Sequence, residues 1–262
     1  MQPALQRMLL AGESVFYIAR CVSPLNLVEQ LTLTWYTQVL AAAAIVVTNQ
    51  RVLFFPVKRD GSWRESTRAV NWGDVTEVKK SGWLVQYCTF RYKNGSKERY
   101  SALRHGDGKK LAAIAAALIP ASTAEVSASQ GPVPLCPDCK GVLTPKVYTC
   151  PTCGLVFKNE KTMIQRSILL PGGGYFYTGH PFVALLPAVV EIFLILDILA
   201  LLLGGSQDPA AREALPGLLL FFAVVWVLET GVTILHCRRY VREFIPEKRD
   251  PSRAAQYAVS AK

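Results

Sequence analysis

The segment that specifies structure most sharply is CPDCKGVLTPKVYTCPTC, residues 136–153, which holds two Cys-x-x-Cys pairs separated by ten residues. Two residues between thiolates let a tight turn present both sulfur atoms to one metal ion, and a second pair completes a tetrahedral shell. Four thiolates leave no coordination position for water, so the sequence predicts a structural Zn2+ ion and not a catalytic one. The predicted ligands are Cys136, Cys139, Cys150 and Cys153.

Other interpretations of these cysteines stay open at this stage. Soft thiolates in a tetrahedral array also select iron, as in a rubredoxin-like site. The other two interpretations are a disulfide pair and a thioredoxin-like redox motif, and two pairs at this spacing favour zinc over both. The chain starts without a secretory signal peptide, which predicts a cytoplasmic location for its globular part. Three isolated cysteines fit the same reducing compartment: Cys21, Cys88 and Cys237.

Composition divides the chain into a basic globular part and an apolar part. Its 262 residues are enough for about two domains, and 51% of them are hydrophobic. The net charge is +10, and residues 1–120 hold 16 Lys and Arg against 8 Asp and Glu. Such a charge suits nucleic acid or an anionic membrane surface. Long apolar runs near the C-terminus favour the membrane, so nucleic acid is not expected as a partner.

Residues 1–120 are predicted to form a mainly-β domain closed by one helix. The turn signals Asn49-Gln50 and Asn94-Gly95 separate short runs of β-forming residues. An Ala-rich helix follows at 108–119 and ends at Pro120. This order predicts a β-barrel or sandwich plugged by the C-terminal helix. The predicted strands are 15–21, 32–38, 39–47, 51–55, 83–92 and 97–102.

The same region resembles the bacterial pleckstrin-homology-like domains over about residues 10–120. The resemblance is carried by Gly12-Glu13, by Thr48-Asn49-Gln50-Arg51, by the segment Trp72 to Val78, and by the terminal helix. It implies a mainly-β barrel that serves as a binding or assembly module and not as a catalyst. A basic loop is the candidate contact with lipid or a partner, and a solvated loop is the alternative. Its residues are Lys58, Arg59, Arg64 and Arg68.

Three further segments follow this domain. Residues 121–134 are rich in Ala, Ser and Pro and are predicted to be a flexible linker. Residues 135–158 are predicted to be a zinc ribbon, which is too small to bury a core, so the metal must supply most of its folding free energy. A two-helix transmembrane hairpin is predicted at 159–240, and a basic cytoplasmic tail at 241–262.

Two apolar segments, 181–203 and 215–235, are long enough to cross a hydrocarbon core of about 30 Å at about 1.5 Å per residue. Basic residues precede the first segment and follow the second. The positive-inside rule therefore places both termini in the cytoplasm, and we expect a multi-pass protein of the bacterial inner membrane. The flanking cations are Lys158, Lys161, Arg166, Arg238, Arg239 and Arg242.

The approach to the first span is rich in glycine and aromatic residues. Glycines permit close contact between helices, and aromatic side chains favour the bilayer interface. The stretch resembles the motif that leads into the membrane in small domains with two transmembrane helices, although the acidic and basic residues of that family's connecting turn are not evident. The matching residues are Gly172, Gly173, Gly174, Phe176, Tyr177 and Gly179.

Three acids lie within the predicted spans: Glu191, Asp197 and Glu229. A charge at that depth costs a few kcal/mol, so each acid needs an explanation. One hypothesis is that Glu191 and Glu229 face one another or an oligomer partner, and share a proton or pair with a neighbour. The favoured interpretation is that protonated carboxyls link the helices by hydrogen bonds. Asp197 is expected nearer the outer face. The candidate neighbours are His180, His236 and Arg238.

No nucleophile elbow, phosphate-binding loop, metalloprotease histidine pair or dinucleotide fingerprint occurs, so an enzyme is not predicted. The sequence favours a membrane-anchored adaptor or scaffold that faces the cytoplasm and recruits a protein partner, another copy of itself, or anionic lipid. The alternative is an oligomeric transport or channel component that uses the intramembrane carboxylates. An intramembrane enzyme is the third and least favoured interpretation.

Overall fold

In a computed structural model, residues 2–26, 29, 40–58, 60–122, 126–204 and 209–247 are described, and the chain divides into two units. The first unit comprises Met1–Val156 with Pro246–Lys262, and the second comprises Phe157–Ile245. The predicted strand 32–38, Arg59 and tail residues 248–262 lie outside the described residues.

The first unit is built on an antiparallel sheet of eight strands in the order β5-β6-β7-β1-β2-β3-β4-β8. The sheet is open, because β5 and β8 form its two edges and do not pair with each other in the part of the chain that is described. The predicted closed barrel is therefore wrong. The strands are β1 Val15–Val22, β2 Ala42–Thr48, β3 Arg51–Pro56, β4 Thr67–Asn71, β5 Val75–Ser81, β6 Gln86–Tyr92, β7 Lys97–Leu103 and β8 Val133–Leu135.

Helices cover both faces of this sheet. Ile45 belongs to the core on one face, and the next residue, Val46, belongs to the core on the other. Burial on both faces explains why β2 is apolar from Ala42 to Val47. Helix α2 (Asp107–Ala121) covers the first face with Leu111, and the short helix α1 (Gln2–Met8) covers the second with Met8.

A buried ion pair fixes the segment after α1 against the β2–β3 hairpin. The guanidinium of Arg51 donates to both carboxylate oxygens of Glu13 at 3.0 Å, and to the carbonyl of Met8 at 2.8 Å. Thr48 Oγ1 donates to the same carboxylate at 2.7 Å. Burial by itself raises the pKa of Glu13, but these hydrogen bonds and one from the Leu10 amide outweigh it and hold that pKa below its usual value.

The second half of the predicted linker is part of the first unit. The Ser127 amide donates to Asp74 Oδ1 at 2.8 Å, and β8 pairs with β4 through Ala69 and Val133. The prediction of a flexible linker over 121–134 therefore fails from residue 126 onwards. Its Pro and Ser residues indicated a lack of regular structure, whereas pairing with a distant strand determines the observed conformation.

The second unit is helical and contains the two apolar segments. Each has a window of high hydropathy of which only 11% is buried. A core helix of a soluble domain would be mostly buried, so these exposed apolar surfaces are those of helices suited to a membrane. The helices are α3 Glu160–Leu169, α4 Gly173–Thr178, α5 Pro181–Gly204 and α6 Pro209–Arg242. The second apolar helix, α6, extends beyond the predicted span 215–235, because it continues without a break through residues 236–242.

Candidate metal centre and polar helix cluster

The four predicted thiol ligands come together at one point. All four sulfur atoms lie within 4.8 Å of one another. Two separations are 3.6 Å (Cys136 to Cys153) and 3.5 Å (Cys139 to Cys150). A Zn–S bond of about 2.3 Å places the sulfur atoms of a tetrahedron about 3.8 Å apart, whereas a disulfide requires about 2.05 Å. The four cysteines are free thiols with the spacing that a single tetrahedral ion requires.

The two Cys-x-x-Cys turns have the same pattern of backbone hydrogen bonds. In the first, the Cys136 amide donates to the Gly141 carbonyl at 2.8 Å, and the Lys140 amide donates back to the Cys136 carbonyl at 3.0 Å. In the second, Cys150 makes the equivalent bonds with Leu155 and Gly154, at 2.8 and 2.9 Å. This repeated turn holds the two sulfur atoms of each pair on the same side of the backbone, where both can bind one ion.

The metal centre is joined directly to the sheet. Leu135, the last residue of β8, pairs with Thr67 of β4 on one side and forms a bridge to Val142 on the other. The ammonium group of Lys140 donates to the Leu9 carbonyl at 2.8 Å. The cysteine segment is therefore positioned by β8 and by the residues after α1, and not by a separate ribbon core.

The basic loop presents fewer exposed cationic side chains to solvent than the sequence predicted. Arg68 donates to Glu98 Oε1 at 2.6 Å and to the Tyr100 hydroxyl at 3.1 Å, so its charge is used inside the first unit. Arg64 is buried, and its Nε donates to the Val57 carbonyl at 3.1 Å. Lys58 is exposed. Sequence spacing carried no signal for the pairing of Arg68 with Glu98, because the two residues lie on distant strands.

The glycines before α5 allow close packing within the second unit. A Cβ atom on Gly173 would lie 2.0 Å from the Arg166 carbonyl oxygen, and one on Gly174 would lie 2.2 Å from Ser167 Oγ. A Cβ atom on Gly172 would lie 2.5 Å from the Ala184 carbonyl oxygen, and Gly179 caps α4 with a φ of 90°. Tyr177 is buried, and its hydroxyl accepts from the Asn159 amide at 3.0 Å, whereas Phe176 is exposed.

Two of the three predicted acids come together between α5 and α6. Glu191 is only 3% exposed, and its carboxyl lies close enough to that of Glu229 for the two to interact. Glu229 also accepts from Thr233 Oγ1 at 2.6 Å. Glu191 Oε1 and Thr230 Oγ1 are buried without a hydrogen-bond partner among the described residues. Asp197 is exposed and lies away from this cluster, on a different face of α5.

The basic neighbours proposed for these acids occupy other contacts as well. The Nδ1 atom of His236 bonds with the Tyr175 hydroxyl. His180 lies over the ring of Tyr240, with 4.0 Å between ring centroids. Arg238 Nε donates to Glu160 Oε1 at 2.6 Å, which links α6 to the start of α3. Tyr175 and Thr233 were not predicted from the sequence as site residues: Tyr175 lies within the glycine-rich stretch without matching its motif, and Thr233 belongs to no motif.

No family model matches this chain, and no curated protein matches it. Among solved structures, the Vps36 N-terminal PH domain is similar to part of the molecule, with 15% sequence identity and a TM-score of 0.32. The match covers 43% of this chain and 83% of that chain. A similarity of this size specifies neither a ligand nor a partner.

Proposed function

We propose that this protein is a membrane-anchored adaptor whose β unit faces the cytoplasm and recruits a protein partner or anionic lipid. This proposal is supported by the combination, in one chain, of a folded β unit, a cluster of four cysteine thiols and two long helices whose apolar surfaces are largely unburied. Zn2+ in this centre has a structural role, because all four ligands come from the protein. Both termini lie in the cytoplasm, as the flanking cations favour.

Alkaline extraction and cysteine labelling test this proposal. We expect the full chain to stay in the membrane pellet at high pH. An impermeant maleimide should label a Ser206→Cys variant in intact cells, and should label Ser127→Cys only after the membrane is permeabilised. Release by alkali, or labelling of Ser127→Cys in intact cells, would refute the anchored topology.

The contact between Glu191 and Glu229 favours a second candidate, an oligomeric transport component. Buried carboxyls inside spanning helices are typical of ion and proton pathways. Proton or cation flux into proteoliposomes that is lost in Glu191→Gln would support this function. A purified monomer or dimer without flux would exclude it.

A further inference from the structure

The loop between β5 and β6 presents three consecutive apolar side chains to solvent. Trp83 is 84% exposed, Leu84 79% and Val85 46%. The sequence predicted a half-buried strand from residue 83, whereas β6 starts only at Gln86. Single exposed apolar residues are ordinary, but three in a row at the tip of a hairpin form a contiguous patch that indicates an interaction site.

The backbone holds this apolar tip in a defined conformation. Gly82 has a φ of +79°, and a Cβ atom there would lie 2.0 Å from the Val85 carbonyl oxygen, so the turn requires glycine. Gln86 is 5% exposed, and its side-chain amide donates to the carbonyls of Gly82 and Trp83 at 3.2 and 3.4 Å. The buried side chain of Gln86 thus stabilises the loop by hydrogen bonds to its backbone, while the side chains of Trp83 and Leu84 are exposed to solvent.

Positive charge surrounds the tip. Lys80 is exposed at the end of β5, and a Cβ atom on Gly108 of α2 would lie 3.1 Å from its Cγ, so the start of α2 adjoins this strand. Lys109 is exposed in the first turn of α2. Arg104 is exposed directly after Leu103, the residue of β7 that pairs with Gln86 at the base of the loop. The acid of this region, Asp107, accepts a hydrogen bond from the Tyr17 hydroxyl at 2.7 Å.

We propose that this loop inserts into the headgroup layer of an anionic bilayer, with Trp83 and Leu84 in the interface and Lys80, Arg104 and Lys109 against lipid phosphates. The inference rests on the proposed function and makes it more specific, because it names anionic lipid as what the β unit binds. Tryptophan favours the interface between hydrocarbon and water, and basic residues beside it add attraction to anionic lipid. The spanning helices on the same chain keep the bilayer at high effective concentration.

Tryptophan fluorescence of the full chain in nanodiscs tests this inference. The signal of Trp83 is obtained by subtracting the spectrum of Trp83→Phe from that of the unmodified protein. In bilayers of phosphatidylcholine with phosphatidylglycerol, we expect the Trp83 emission to shift to the blue and to be quenched by brominated lipid. In bilayers of phosphatidylcholine alone, it should remain open to aqueous acrylamide.

Charge variants measure how much one basic residue contributes to insertion of the loop. Lys80→Gln should lower the ratio of inserted to free loop about fivefold, the effect of one basic residue near an anionic surface. Lys93→Gln is the matched control, because Lys93 is exposed at the opposite end of β6 and its loss should change nothing. Equal quenching in neutral and anionic bilayers, or equal effects of the two variants, would overturn the inference.

The same experiment separates this inference from the proposed function. Trp226 lies within the second apolar span and should be quenched by brominated lipid in every bilayer. If Trp226 is quenched and Trp83 stays open to acrylamide in anionic bilayers, loop insertion is refuted and the anchor stands. If Trp226 is not quenched, the membrane anchor itself is refuted.

Discussion

Replacement of Cys136 by serine should release the metal and unfold the cysteine segment while the sheet stays folded. The residues from 136 to 155 fully bury few apolar side chains besides Leu143 and Leu155. Two buried leucines stabilise by about 3–6 kcal/mol together, whereas a structural zinc site contributes about 10–16 kcal/mol at neutral pH. The metal is the larger contribution, so the segment cannot keep its structure on its apolar contacts alone.

Metal analysis and hydrogen exchange of the full chain in detergent measure this effect. We expect one zinc per chain in the unmodified protein and close to none in Cys136→Ser. Amide protection should fall throughout 136–155 and persist in β2 and β3. Removal of metal from the unmodified protein by a chelator should make four thiols reactive at once.

Cys88→Ser is the matched control. This thiol is fully buried in the sheet core, and burial raises its pKa to about 12, so it is neither a ligand nor a reactive group. The variant should retain its zinc. Our reasoning would be refuted if Cys136→Ser kept a full equivalent of metal, or if Cys88→Ser lost as much. Iron in place of zinc would correct the identity of the ion and leave its structural role intact.

Three further predictions concern the ion pair, the glycine contacts and the paired acids. Because the folded-state pKa of Glu13 is lowered, its contribution to the free energy of unfolding is complete above its unfolded pKa of about 4.3 and is lost as the pH falls further. Glu13→Gln should therefore lose about 3 kcal/mol of unfolding free energy at pH 7. In pH-dependent denaturation, the stability of this variant should fall less steeply with acid than that of the unmodified protein. Gly174→Ala should lower the stability measured by melting in detergent by about 1–3 kcal/mol, because the added methyl group overlaps neighbouring side chains. Gly231→Ala is the control and should not destabilise, because a Cβ atom there would have nothing within 4 Å. Equal melting temperatures of the two variants would contradict the close packing at Gly174. If Glu191 and Glu229 only link the helices, Glu191→Gln should change stability by less than about 2 kcal/mol, and a larger loss in the same melting assay would require a charged carboxylate at this position.

Local signals predicted the central hairpin and the clustering of the four cysteines, whereas their binding of a metal stays a prediction. The turn at Asn49-Gln50 joins β2 to β3, and Ile45 pairs with Phe54 across it. The two cysteines of each pair lie close together because a single tight turn forms the pair, and the geometry of that turn depends on adjacent residues only. The two apolar helices follow from a continuous run of side chains, which is also a local property.

Features that depend on distant pairing were not predictable in the same way. Val133 joins the sheet beside Ala69, although Pro132 and Pro134 made its segment resemble a linker. Whether an eight-stranded sheet closes depends on its edge strands, and no local pattern reports this. The alternation found between Gln86 and Tyr92 was extended back to Trp83 in the sequence-based prediction, but the turn at Gly82 places Trp83 outside the ladder.

The position of β8 connects the thiolate centre to the protection of a sheet edge. Strand β4 would otherwise be an uncovered sheet edge, with a row of open backbone donors and acceptors that can pair with another chain. Three residues of β8 cover it, and the turn that begins at Cys136 holds them in place. If the four thiols hold a metal, we expect its loss to free the β4 edge for association between molecules, while the other strands of the sheet stay paired.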